Sequence, residues 1–185
     1  MFGHAPEIPL FPRPLAAVLR LGPAEPLGLP LTLIARRLIA RHPSLIGRLG
    51  EYGQARFAID PTDLPLVLVL HPHPTRTRIT VHRTAPAVEA RIAGPLAALL
   101  GLVHGAYDGD ALFFSRDLVI EGDTSAALAL RNAIDDAELD LGAEIAALAG
   151  PFRPALMPLI AAAQRVTGVS LRRADTPHLP EEPAT

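Results

Sequence analysis

Cysteine is absent from this 185-residue sequence, and aromatic residues are scarce at 4%. Without cysteine the chain has no disulfide, no thiolate nucleophile, no iron–sulfur ligand and no cysteine-based zinc site. Lysine is absent too, so arginine supplies all 17 basic residues, a bias typical of a GC-rich genome. No stretch reaches the roughly 20 uninterrupted apolar residues of a membrane span, and none is therefore predicted.

No single sign of charge dominates the chain, whose formal net charge is −2. The residues up to Arg91 include 11 arginines and 6 acidic residues, whereas the later ones include 6 arginines and 13 acidic residues. Because a dedicated nucleic-acid binder carries a far more basic surface, nucleic acid is not expected as a partner. Prolines interrupt the apolar residues near the N-terminus, so no secretory signal is predicted and a cytoplasmic location is expected.

Motifs that carry chemistry are also missing. The sequence contains no G-x-S-x-G elbow, no phosphate loop and no G-x-G-x-x-G. His71 and His73 share one side of a predicted strand end, but no acidic residue or third histidine is adjacent in sequence, and an ordinary turn is expected there rather than a metal site. Glu121 and Asp123 flank Gly122 in what is read as a turn and a helix cap. The sequence thus predicts a protein that is not an enzyme and needs no cofactor.

Hydrophobic periodicity predicts an α+β domain. Apolar residues recur at helical spacing over 29–41, and a two-residue alternation in the middle of the chain indicates strands. Short connections between strands favour a five-stranded, mainly antiparallel sheet covered by helices. We expect a Pro-rich arm over 1–26, the domain with its N-terminal helices over 27–168 and a disordered tail over 169–185. The predicted strands span 56–60, 66–70, 79–81, 88–92 and 118–121, and further helices 15–21, 44–52, 96–104, 124–141 and 151–166.

The most informative segment is residues 110–130. It is read as a strand, a Gly122-Asp123 turn and a helix whose first N–H groups are capped by Asp123 or Thr124. The stretch LFFSRDLVIEGDT resembles the closing strand, turn and helix of the sterol carrier protein 2 (SCP2) lipid-binding domain. It is most similar to the bacterial UbiT-like branch, whose members are accessory factors of ubiquinone biosynthesis. The resemblance covers residues 56–140 and, more weakly, the helix LIARRLIARHPSL.

This resemblance implies a sheet and helices that enclose an apolar lipid tunnel. It implies a prenylated quinone precursor of oxygen-independent ubiquinone synthesis, or a phospholipid, as cargo. As partners it implies UbiU–UbiV-like hydroxylase proteins, which would carry the iron–sulfur clusters. The side chains expected to bind the lipid are Phe57, Leu68, Val81, Leu96, Leu99, Leu100, Phe113, Phe114, Leu118, Ile120, Leu128, Leu156 and Ile160.

Three alternatives remain open at this stage. Arg36, Arg37 and Arg41 lie on a predicted basic helix, which either contacts an anionic bilayer at the inner membrane or packs on its own domain with solvated arginines. An interaction module would have a solid core and dock a partner through the acidic residues of 135–140. An enzyme would use His71, His73 or His104 with nearby acids. A cavity on the order of several hundred Å³ would favour the carrier.

Overall fold

The alternating segments of the sequence form one five-stranded sheet in a computed structural model, which describes residues 8–104 and 109–137 and the single positions 161 and 165. The strand order is β3-β2-β1-β4-β5. Only the β1–β4 pair is parallel, and the other three pairs are antiparallel. The expected α+β fold with a mainly antiparallel sheet is thus confirmed. The strands are β1 Phe57–Pro61, β2 Val67–His71, β3 Arg78–His82, β4 Ala90–Gly94 and β5 Val119–Gly122.

Helices occupy most of the remaining described chain. One 3₁₀ turn, Glu25–Leu27, precedes helix α2 (Gly28–Arg41). A second, Gly50–Gln54, follows helix α3 (Ser44–Leu49). Asp123 begins the last helix as predicted, because its Oδ1 accepts the N–H groups of Ser125 at 2.9 Å and Ala126 at 3.0 Å. The α-helices are α1 Arg13–Leu21, α2 Gly28–Arg41, α3 Ser44–Leu49, α4 Leu96–His104, α5 Gly109–Phe114 and α6 Thr124–Ala137.

The two faces of the sheet are covered differently. Helices α3 to α6 pack on one face, where Phe57 of β1 is fully buried among apolar side chains of β4, α4 and α6. On the other face the chain crosses from β3 to β4, and Val88 of this crossover packs on Ala58, Val67 and Val69. This crossover passes β2 and β1 and returns the chain to the end of the sheet at which β1 begins, so β4 runs parallel to β1.

The N-terminal residues contact the domain through specific hydrogen bonds. The N–H of Phe11 donates to Asp63 Oδ2 at 2.8 Å. The guanidinium of Arg83 donates to the carbonyl oxygens of Leu19, at 2.9 Å, and Gly22. Ala24 is buried against Leu66 and Val81. From residue 8 onward the segment predicted as an arm therefore packs on the sheet.

Several local predictions need correction. Residues 109–114 form α5, for which no helix was predicted. The helix predicted over 44–52 ends at Leu49, and a 3₁₀ turn over Gly50–Gln54 follows it. The fourth strand begins at Ala90 rather than 88, because the N–H groups of Glu89 and Ala90 both donate to Arg56 O. The predicted helix over 151–166 and tail over 169–185 lie outside the described residues, apart from positions 161 and 165.

Candidate functional site

A cavity of about 260 Å³ lies between α2, α3, α6 and the β2–β3 part of the sheet. Every side chain that lines it is apolar, so the interior offers no hydrogen-bonding side chain to water or to a polar ligand. Apolar cavities of this kind stay dry and accept apolar ligands. Its walls are Ala35, Leu38, Ile39, Leu45, Ile46, Leu49, Leu68, Leu70, Pro72, Ile79, Val103, Leu130, Ala133 and Ile134.

Small residues on two facing helices leave this space open. Ala35 of α2 and Ala133 of α6 stand among leucine and isoleucine neighbours. Both alanines are at least nine-tenths buried, so their short side chains reduce the packing of the interior rather than of the surface. The cavity is therefore a consequence of residue size at these helix positions.

Helix α2 is held against the edge of the sheet by polar contacts. Thr32 Oγ1 accepts the N–H of Ile79 at 2.9 Å and donates to the Ile79 carbonyl oxygen at 3.1 Å. Arg36 Nε donates to Thr77 O at 2.8 Å. A Cβ at Gly28 would stand 3.0 Å from Ile79 O, which shows how closely the start of the helix approaches β3. The helix thus covers the backbone edge of β3 and forms one wall of the cavity.

The predicted lipid-contacting residues are distributed over several parts of the fold. Of those whose side chains the structure describes, only Leu68 lines this cavity. Phe57, Leu99 and Leu118 are buried in the main core, and Val81 is buried in a smaller cluster. Leu96, Leu100 and Ile120 are half-buried. The side chain of Phe113, together with Leu156 and Ile160, lies outside what the structure describes.

Phe114 and Leu128 lie at the surface, with 89% and 51% of their area exposed. They do not line the cavity, because Phe114 ends α5 on the solvent side and Leu128 lies on the outer face of α6. The predicted set drew on apolar residues of the motif that lie near β5, whereas the cavity lies beside β2 and β3 and includes Leu130 from the end of the motif. The helical stripes of α2 and α6, which include Leu38, Leu130 and Ile134, were the signal that could have located it.

The three arginines predicted to face a membrane are not equivalent. Arg36 donates to the β3 edge through Nε, as described above. Arg37 and Arg41 are both exposed, and Arg41 has an interaction partner. Leu29 and Leu33 of the same helix are exposed by 68% and 52%. Among the described residues, no helix combines the length and the apolar character needed to cross a membrane.

The histidine pair takes part in local hydrogen bonds. His71 Nε2 lies 3.3 Å from Thr80 Oγ1, and His73 Nδ1 accepts N–H groups of its own turn. Burial lowers the pKa of His71, and the positive charge of Arg78 lowers it further. In the described part of the chain, no three histidine or acidic side chains converge as metal ligands would. His71 ends β2, and His73 lies in the turn that follows it.

Acidic residues near the sheet and α6 are engaged in ion pairs. Arg91 bridges Asp60 and Glu121 across three strands, and these hydrogen bonds raise the pKa of its guanidinium. Asp136 pairs with Arg48 of α3, which ties α6 to that helix. Glu138 and Asp140 of the same acidic cluster lie outside the described residues.

Comparisons with known proteins identify the fold. The chain is similar to a solved structure named as the UbiJ-SCP2 ubiquinone synthesis protein, at 17% identity and a TM-score of 0.53. The match covers 63% of this chain and 96% of that one. It also resembles the ligand-free sterol carrier protein 2 of Yarrowia lipolytica, at 13% identity and a TM-score of 0.43, over 58% of this chain and 89% of that one. No curated protein sequence matches it significantly.

The family assignment rests on a sequence match together with this fold. The model of the SCP-2 sterol transfer family matches residues 35–135, which is more than half of the chain. The matched range includes all five strands and most of the residues around the apolar cavity. This protein belongs to the SCP-2 sterol transfer family.

Proposed function

We propose that this protein is a non-catalytic lipid carrier whose apolar cavity holds part of a lipid chain. The observation that supports this function is the cavity itself, whose lining side chains are all apolar. Its 260 Å³ is just below the roughly 300–1,000 Å³ of sites that enclose a whole drug-sized ligand. We therefore expect one segment of a chain to enter it. Each methylene that leaves water contributes roughly 0.8 kcal/mol before the losses of binding are subtracted.

We further propose that the cargo is a prenylated quinone precursor in oxygen-independent ubiquinone biosynthesis. The resemblance of residues 110–130 to UbiT-like proteins supports this assignment. A protein that shares the fold, UbiJ-SCP2, is named as a ubiquinone synthesis protein, which agrees with it. In this proposal the carrier presents its cargo to UbiU–UbiV-like hydroxylase proteins, and those partners perform the chemistry.

Contact with the inner membrane would let the carrier load its cargo. Exposed apolar side chains of α1 and α2, among them Val18, Leu21, Leu29 and Leu33, support this proposal. Arg37 on α2 adds positive charge near them, and a basic residue close to an anionic bilayer contributes about 1 kcal/mol. The protein would work in the cytoplasm and bind the bilayer peripherally and reversibly.

The first experiment is gentle native mass spectrometry of the purified protein, followed by solvent extraction and lipid analysis. A stoichiometric prenylated quinone, its precursor or a phospholipid establishes a carrier and identifies the cargo. A bare polypeptide mass that persists after incubation with candidate lipids contradicts the proposal. That result would instead favour an interaction module.

A pair of substitutions on α2 tests whether the cavity is the binding site. Ala35→Phe places a ring in the cavity, and we expect at least a tenfold loss of lipid occupancy because the ring takes the volume of the chain. Ala40→Phe makes the same change at an exposed position of the same helix and should retain occupancy. Equal occupancy in the two variants, with both proteins folded, would exclude this cavity as the site.

A further inference from the structure

A second cleft adjoins the apolar cavity. It has a volume of about 660 Å³ and lies between the 3₁₀ turn after α3 and the β2–β3 turn. Ile46 lines both spaces. The chain passes from the lining of the cavity to that of the cleft twice, at Leu49–Gly50 and at Pro72–His73. A lipid whose chain enters the cavity beside Ile46 would leave its headgroup in this cleft.

Three polar side chains line the cleft, namely Glu51, Gln54 and His73. All three are exposed. Among the described residues, the carboxylate of Glu51 and the amide of Gln54 have no hydrogen bond or ion pair, so both are available to a ligand. The cleft thus offers polar groups where the cavity offers none.

The β2–β3 turn determines which nitrogen of His73 faces a ligand. Nδ1 accepts the backbone N–H groups of Thr75 at 3.2 Å and Arg76 at 3.1 Å. A ring nitrogen that accepts hydrogen bonds carries no hydrogen, and this network therefore assigns the ring N–H to Nε2. His73 can then donate one hydrogen bond from Nε2 to an oxygen in the cleft.

Among the residues that the structure describes, no arginine lines this cleft, although the sequence contains 17. Phosphate sites rely on arginine or lysine, which make charge-assisted and often bidentate hydrogen bonds. Here a phosphate would meet the carboxylate of Glu51 instead, and like charges repel. A hydroxyl group, in contrast, can donate to Glu51 or to Gln54 Oε1, and a carbonyl oxygen can accept from His73 Nε2.

We propose that this cleft binds the uncharged, hydroxyl- or carbonyl-bearing headgroup of the lipid and discriminates against a phosphate headgroup. The inference rests on the proposed carrier function and adds the chemistry of the headgroup to it. Within it, Glu51 or Gln54 accepts from the hydroxyl group, and His73 donates to an oxygen of the head.

A matched pair of ligands tests this proposal, because farnesol and farnesyl phosphate share one tail and differ in the head. With the full-length protein in isothermal titration calorimetry, we expect farnesol to bind at least tenfold more tightly than farnesyl phosphate. Glu51→Arg should reduce this ratio at least fivefold, because it replaces the repelling charge by an attracting one. Glu25→Arg makes the same charge change outside the cleft and should leave the ratio unchanged.

A variant of the turn tests the role of His73 separately. His73→Asn keeps an acceptor for the turn N–H groups, and because the amide is shorter than the imidazole ring it has no donor at the position of Nε2. We expect farnesol to bind severalfold more weakly and the melting temperature to stay the same.

The outcomes separate this inference from the function on which it rests. Equal affinity for the two ligands, or tighter binding of farnesyl phosphate, overturns the headgroup assignment and leaves the carrier function in place. Failure of both ligands to bind overturns the carrier function, and the headgroup assignment with it.

Discussion

The turn between β5 and α6 requires glycine at position 122. Its φ of +84° lies in the left-handed region, and an added Cβ would stand 2.5 Å from Glu89 O. We expect Gly122→Ala to lower the free energy of unfolding by about 1–3 kcal/mol or more, since strained backbone and close contact both oppose it. Urea denaturation measures the change. Gly47→Ala, in α3 with open space around the site, should be neutral or stabilising.

Glu89 makes the free energy of unfolding depend on pH in the acidic range. Its hydrogen bonds with the guanidinium and the N–H of Arg56 hold the pKa of the Glu89 carboxyl at about 2. Because the pKa is lower in the folded than in the unfolded state, the stabilising effect is present above pH 4.5. It is lost as the pH falls from 4.5 toward 2. The side chain is 45% exposed, so solvent screens the pair and reduces this effect.

Glu89→Gln should therefore flatten the fall of unfolding free energy between pH 4.5 and 2. Chemical denaturation at a series of pH values measures the slope. Arg56→Gln should flatten it similarly, and the double variant should add little, because both remove one interaction. If the unfolding free energy of Glu89→Gln fell with decreasing pH as steeply as that of the unsubstituted protein, Glu89 would not be the source of the acid dependence.

At the scale of elements, the contact of α2 with β3 protects an edge strand. Thr32→Val keeps the shape of the side chain but leaves the N–H and carbonyl of the half-buried Ile79 without the hydroxyl partner. We expect a loss of about 1–3 kcal/mol in unfolding free energy and faster hydrogen exchange at the Ile79 amide. Thr32→Ser retains the hydroxyl and should preserve the protection of this amide. Unchanged exchange in Thr32→Val would show that the contact does not protect the edge.

The elements themselves were largely predictable from the sequence, because periodicity depends on which faces are buried. The strands, α1, α2, α4 and the Asp123 cap follow from alternation, helical spacing and turn residues. Helix α5 did not, since its six residues carry a short pattern and the glycines at 105 and 109 are typical of a loop. The packing of residues 8–24 also escaped prediction, because its hydrogen bonds join backbone groups to distant side chains such as Asp63 and Arg83.

The resemblance implied an apolar cavity, but the residues that line it could not be identified from the sequence, and lipid contact at the predicted residues stays a prediction. Resemblance to a lipid-binding family gave an apolar interior, but leucine in a core and leucine around a cavity have the same pattern in sequence. What distinguishes them is the spacing between packed elements, set here by Ala35 and Ala133. Likewise the cleft residues Glu51 and Gln54 carry no sequence signal, because only the fold brings their turn next to His73.

At the scale of the whole molecule, the N-terminal residues are expected to stabilise the domain. Deletion of residues 1–26 removes the three described hydrogen bonds to Asp63 and Arg83 and uncovers Leu66 and Val81. At about 0.5–1.5 kcal/mol each, these hydrogen bonds predict a loss of about 2–4 kcal/mol in unfolding free energy. Thermal denaturation measures the loss. Deletion of residues 1–7 keeps all three bonds and should have little effect; a similar melting temperature for both deletions would refute the stabilising role.

The position of β1 at the centre of the sheet has a consequence for biosynthesis. One edge of β1 pairs with β2, which follows within a few residues along the chain. The other edge can pair with β4 only after the residues from Ala90 onward have been synthesised. While a nascent chain ends between residues 82 and 90, Phe57, Ala58 and Ile59 present an unpaired apolar edge. Such an edge can pair with another chain. Products of interrupted translation that stop in this interval therefore retain an edge through which they can aggregate.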